Sequence, residues 1–230
     1  MALPKAAMRP SRPTKTPSNR PARNVAGQTH RTRVIAVTGT IGSGKTAVLG
    51  FFARAGIPTI SADVVAREVV APGTPGLRSL VEAFGADILT DDGALDRQRL
   101  AERVFGDELE RSRLNGLTHP LIRTRIGELV KRYREQGADV VVLEIPLLEA
   151  HTIKEYEIDD VLVVVIPQEL ALERLVNHRG MDPHDAAARL GVQASNEERE
   201  KIARWRVVND GSFDALASKV AKIIEEVKNP

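Results

Sequence analysis

The sequence contains no cysteine in its 230 residues, so neither disulfides nor thiolate metal sites are available, and a reducing cytosol is compatible with it. It has no apolar stretch approaching the length of a membrane span. It also lacks an excess of charge. The 33 Lys and Arg stand against 31 Asp and Glu, a net +2, and so weak a field does not argue for nucleic acid as a partner. Acid is missing from one end only: no Asp or Glu precedes Asp63, while Lys5, Arg9, Arg12, Lys15, Arg20, Arg23, Arg31 and Arg33 all do. Residues 1–31, rich in Pro, Arg, Ser, Thr and Ala, show no apolar periodicity. Such a segment cannot bury enough surface to offset its ordering entropy, which predicts a disordered basic tail. An organelle-targeting segment or a nucleic-acid arm is the alternative reading, although five prolines work against an amphipathic transit helix. No apolar centre marks a secretory signal.

What is present is a chain with 42% apolar residues, enough for one α/β domain with an insertion. Four β-branched runs, Arg33–Thr38, Ile57–Ile60, Val140–Ile145 and Val161–Ile166, and a weaker fifth at Arg206–Val208 read as strands. Helical patterns at Lys45–Ala55, Asp63–Val70, Leu121–Glu135 and Gln168–Val176 alternate with them, and Ser212–Lys228 reads as a closing amphipathic helix. On that last helix Phe213, Leu216, Val220, Ile223, Ile224 and Val227 share one face. The alternation predicts a doubly wound, five-stranded parallel sheet covered on both faces. Turn signals at Pro72–Gly76 and Asp91–Gly93 break the pattern and predict an inserted subdomain of short helices. A polar helical stretch, about Arg179–Lys201, falls where a lid belongs. The expected organisation is a nucleotide core over 32–71, 137–176 and 202–230, an acceptor subdomain over 72–136 and a lid over 177–201. A monomer is favoured.

Directly after the first strand comes Gly39-Thr40-Ile41-Gly42-Ser43-Gly44-Lys45-Thr46, a phosphate-binding loop with the spacing G-x-x-x-x-G-K-[ST]. Gly39, Gly42 and Gly44 let the backbone approach an anion, and successive N–H groups, Ala47 among them, face the phosphates. Lys45 brings a mobile charge to the terminal phosphates, and the Thr46 hydroxyl is placed to ligate Mg²⁺. The motif predicts ATP as the nucleotide. No Asn-Lys-x-Asp guanine tetrapeptide is present, which excludes the GTPase reading. Glu144-Ile145-Pro146 is a poor match to the acidic pair of a motor ATPase. A small-molecule kinase needs an acid at the end of the neighbouring strand, an acceptor-binding insertion and an arginine-bearing lid.

Asp63 follows the second strand, where it faces the terminal-phosphate region as a base or simply caps the helix that begins there. Arg67, one turn on, holds an acceptor phosphate or pairs with a neighbouring acid. Arg174, Arg179 and Arg189 lie in or beside the lid, and one of them is expected to face the transferring group. His119, before Pro120, reads from spacing alone as a helix-start residue.

Several stretches taken together resemble the dephospho-CoA kinase family over essentially all of 33–228. They are the loop Val37–Thr46, Ser61-Ala62-Asp63-Val64-Val65-Ala66-Arg67, Asp92–Arg97 with Val104-Phe105, Leu114–Leu121 containing His119-Pro120-Leu121, Glu144–Leu148 and Asn209–Ser212. The resemblance implies transfer of the ATP γ-phosphate to the ribose 3′-hydroxyl of dephospho-CoA, the last step of coenzyme A synthesis, in the cytoplasm. It implies Asp63 as catalytic base, Lys45 as phosphate-stabilising charge and Arg174 as the arginine at the lid base. It places His119 in the acceptor site and Asn209 near the adenine of ATP. The chain departs from the family pattern at Ser61, Ala47, Glu149, His178 (with Arg179 one residue late) and Arg204-Trp205, none of which touches Lys45, Thr46 or Asp63.

Overall fold

The computed structural model describes residues 31–146, 148, 150–191 and 199–229. The tail expectation for 1–30, the departure at Glu149 and the lid stretch 192–198 fall outside them. Arg31–Pro230 is a compact unit by itself. Its order is β1 (Arg33–Gly39), α1 (Lys45–Arg54), β2 (Thr59–Ser61), α2 (Ala62–Glu68), α3 (Pro75–Phe84), α4 (Arg97–Val104), α5 (Glu108–Glu135), β3 (Val140–Glu144), α6 (Ala150–Glu155), β4 (Asp160–Val165), α7 (Gln168–Arg179), α8 (Pro183–Gly191), β5 (Trp205–Val208) and α9 (Phe213–Lys228). The strands form one parallel sheet in the order β2-β3-β1-β4-β5. With β1 central and the chain leaving it to both sides, the ligand crevice belongs at the carboxyl end of β1.

Strand side chains alternate between two covered faces. Ile35, Val37, Val142, Leu162 and Val164 pack under α1 and α9, while Val34, Ala36, Val141, Leu143, Val161 and Val163 pack against α2 and the second half of α5. A third cluster, Val70, Leu80, Phe84, Ile88 and Leu100, with Leu114 and Leu117 against it, is the core of the inserted helices.

The five-stranded parallel sheet is the one expected, with strand ends shifted by one or two residues. Three expectations need correction. His119 does not start a helix: α5 begins at Glu108 and runs through Pro120. A proline inside a helix loses one hydrogen bond and its ring crowds the carbonyl four residues back. Here that residue is Gly116, around which a Cβ would meet nothing, and packing on both sides of the break holds the helix together. Asp63 is not an N-cap either. Ser61 holds that position, and Asp63 lies in the first turn with its carboxylate left for other work. Phe213 does not join the buried face of α9. It is 59% exposed, resting one side of its ring near Phe51.

Candidate active site

Strand register builds the site. Val37 of β1 pairs with Glu144 of β3, and Glu144 pairs with Ser61 of β2, so the three form one row across the sheet. The phosphate loop opens two residues beyond that row on β1, and Asp63 stands two residues beyond it on β2. Equal overhang from paired strands sets the carboxylate across from the loop.

The loop itself is shaped by close approaches. Gly39 sits at φ 153°, and a Cβ there would overlap the Val164 carbonyl oxygen. Gly44 caps α1 at φ 92°, and a Cβ would overlap the Asn209 side-chain amide. No side chain caps this helix, so its first amides stay available to an anion. The hydroxyls of Thr40 and Ser43 are buried with no hydrogen-bond partner among the described residues. Orphaned donors around an uncapped helix start are what a bound phosphate would satisfy.

Lys45 turns back on the loop, Nζ donating to the carbonyl oxygens of Gly39 at 3.0 Å and Thr40 at 2.9 Å. Burial pulls its pKa down to about 8. Glu144 opposes that shift, Arg199 adds to it, and Asp63 and Arg179 contribute smaller pulls in opposite directions. Lys45, Glu144, Asp63, Arg199 and Arg179 therefore share one electrostatic neighbourhood. The Thr46 hydroxyl donates to Glu144 Oε1 at 3.3 Å, and Glu144 is only 5% exposed. This pair offers hard oxygen ligands, which suits Mg²⁺. Among the described residues no cluster of three or more His, Asp or Glu could hold a metal alone. A magnesium ion would draw its remaining ligands from phosphates and water, as that ion commonly does.

A cleft of about 300 Å³ is lined by Gly39, Gly42, Gly44, Lys45, Thr46, Asp63, Glu144 and Arg179. Beside it lies a second cleft of about 420 Å³, lined by Asp63, Ala66, Asn115, His119, Thr152 and Tyr156 among others. Asp63 borders both. Of the other expected residues, Ser43 is buried and Thr40 half-buried within the loop, and Ala47 packs against the apolar cluster under α1. Asn209 is buried, donating from Nδ2 to the Ser43 carbonyl at 2.8 Å and accepting from Arg174 Nη2 at 3.4 Å. The structure thus ties Arg174 to the loop through Asn209, and Arg174 lines neither cleft. Arg67 is exposed one turn past Asp63, and Arg189 is exposed on α8.

Two site residues escaped the sequence reading. Glu144 has a signal, an acid closing a buried strand within the Glu144–Leu148 stretch, but neither the strand nor the resemblance assigns it a role. Arg199, 3% exposed and acting on Lys45, has none, because nothing in its spacing sets it apart from other lid arginines. Among the described residues no helix is long and apolar enough to cross a membrane.

The family model described as dephospho-CoA kinase matches residues 33–215. A dephospho-CoA kinase from Thermobifida fusca is 40% identical over 84% of this chain and 96% of its own length. One from Mycolicibacterium paratuberculosis is 43% identical over 84% of this chain, which spans 46% of that longer protein. A solved structure from Thermus thermophilus superposes with a TM-score of 0.72 at 27% identity, covering 85% of this chain and 97% of the other.

Proposed function

The chain belongs to the dephospho-CoA kinase family and phosphorylates dephospho-CoA to CoA, and we propose that it does so by direct transfer from ATP, with Asp63 as the base. The observation that carries this reading is the position of Asp63 on the shared border of the two clefts. A carboxylate there touches a terminal phosphate on one side and an acceptor hydroxyl on the other. In this reading the loop amides, Lys45 and Arg179 neutralise charge as it spreads over the transferring oxygens. Asp63 takes the proton from the ribose 3′-hydroxyl as that oxygen attacks. Thr46 and Glu144 would hold Mg²⁺, which supplies charge neutralisation between the terminal phosphates.

His119 and Asn115 orient the acceptor from α5, within a substrate subdomain over 72–136. Asn209 serves the nucleotide by bracing Ser43 and, through it, the loop; Arg174 is braced by the same amide. The segment 177–201 acts as a lid that brings Arg179 in. In this reading the enzyme works as a monomer in the cytoplasm, without nucleic acid or membrane, and the residues of this one chain that line both clefts support it.

The test is an acceptor panel with ATP and Mg²⁺: dephospho-CoA, a nucleoside, a nucleotide and a sugar acid. Dephospho-CoA is expected to lead in kcat/KM by about a hundredfold or more, the kind of margin a site built for polar groups gives. Faster turnover of a sugar acid or a nucleotide contradicts the assignment.

A further inference from the structure

The sheet has an open edge at β5. That strand pairs with β4 and with no other strand among the described residues, while the opposite edge strand, β2, is only three residues long. An edge strand presents a row of backbone donors and acceptors to whatever lies beside it. Residues 204–208 form one wall of a groove of about 540 Å³, and Lys219, Lys222 and Glu226 on a single face of α9 form the other. Five extended residues span about 16 Å, so the strand wall alone is long enough to pair with a short peptide. Arg204-Trp205, where the chain departs from the family pattern, begins this wall, and neither residue lines the clefts used by the chemistry.

Charge decides what fits. Arg204, Arg206, Lys219 and Lys222 all line the groove. Arg204 pairs with Asp160, Arg206 with Glu200 and Lys219 with Asp210, each cation about half exposed, and none of these acids lines the groove. Such solvated pairs contribute little and give way to a competing carboxylate. Lys222 is exposed and has no ion-pair partner among the described residues. Glu226, the acid on the lining, is engaged by Trp205, whose Nε1 donates to it at 2.8 Å. Lys219 meanwhile covers the edge: its Nζ donates to the Val208 carbonyl at 2.7 Å, standing in for the N–H of a neighbouring strand. An incoming strand would take that carbonyl and release the ammonium to a carboxylate of its own.

These features select one occupant. Residues 1–30 are basic and contain no acid, the wrong sign for the groove. A second copy added edge to edge would set the same cations against their equivalents. A nucleic-acid strand needs exposed rings on which its bases can stack, and Trp205, 8% exposed with its N–H engaged, offers none.

We propose that the groove between β5 and α9 docks an acidic, extended segment of another protein, which adds beside β5 as a sixth strand and sets its carboxylates against Lys219 and Lys222. Main-chain bonds to the edge give such a segment affinity, and alternate side chains facing α9 give it selectivity. The groove shares no residue with either cleft, so the inference stands whatever acceptor the kinase uses.

The experiment follows the fluorescence anisotropy of a labelled peptide of four Glu-Thr repeats added to the full-length protein. Saturable binding with a Kd of about 100 μM or tighter is expected, weakening as salt is raised. The same peptide methylated on every backbone nitrogen keeps its charge and loses its strand donors, and is expected to bind about tenfold more weakly. Lys222→Glu and Ser218→Glu, both on the α9 wall, are each expected to weaken binding about tenfold by repulsion while Tm and kcat/KM hold. No saturation by about 1 mM peptide, undiminished binding of the methylated peptide, or binding unchanged in both variants overturns the docking site. So does tighter binding of single-stranded DNA of the same length, which would make the groove a nucleic-acid site.

Discussion

At the scale of single residues, the charge on Lys45 sets a pH limit on nucleotide binding. Burial holds its pKa at about 8 in the free protein, and a triphosphate beside it favours the charged form and raises that value. Binding therefore takes up a proton above about pH 8. Affinity for metal-free ATP should be flat below that pH and fall as pH rises above it. Titration calorimetry between roughly pH 7 and 9.5, in buffers of different ionisation heat, reads both the affinity and the proton. An affinity unchanged over that range contradicts the site electrostatics. Lys45→Ala should weaken ATP binding and lower kcat by about a hundredfold, the usual scale for a lost charge at a transferring phosphoryl group. Residues with a fixed spacing were legible from sequence: Gly39, Lys45 and Thr46 are set by one local motif. Glu144 and Arg199 were not, because their place beside Thr46 and Lys45 depends on strand register and on chain return over a long distance.

At the scale of elements, the loop after β5 acts as a strap on the phosphate loop. Asn209 follows β5 and bonds the Ser43 carbonyl from 166 residues away in sequence. Removing the amide leaves a buried carbonyl without its donor, a loss of about 1–3 kcal/mol. Asn209→Ala should lower Tm and raise KM for ATP together. Asn209→Asp, which keeps the shape and loses the Nδ2 donor, should do the same. Unchanged values in both variants contradict the strap. The strands were readable because each is a β-branched run buried on two faces, and the order of strands and helices followed from their alternation. Helix α5 was not. Pro120 signals a helix start, and local sequence cannot show that Leu114 and Leu117 before it, and Ile122 and Ile126 after it, are each anchored in a different cluster. Tertiary packing overrides the breaker, and one helix carries Asn115 and His119 from the inserted cluster to the cleft beside the sheet.

At the scale of the whole molecule, every residue given a role in the proposed chemistry lies in the compact unit from Arg31 onward, and the family match begins at residue 33. A chain lacking residues 1–30 should keep kcat and both KM values within about twofold, since no site residue is lost. Loss of activity on that deletion would assign the basic tail a direct part. Within the unit, one sheet sets two clefts side by side and one carboxylate between them. The single measurement that tests this most directly is one turnover of ATP with dephospho-CoA by the parent protein and by Asp63→Asn, with ATP affinity determined on the same samples. The account predicts a product phosphorylated on the ribose 3′-oxygen, near-normal ATP binding by the variant, and transfer slowed by about a hundredfold or more, as for a lost general base. Transfer by Asp63→Asn within a few-fold of the parent would contradict it.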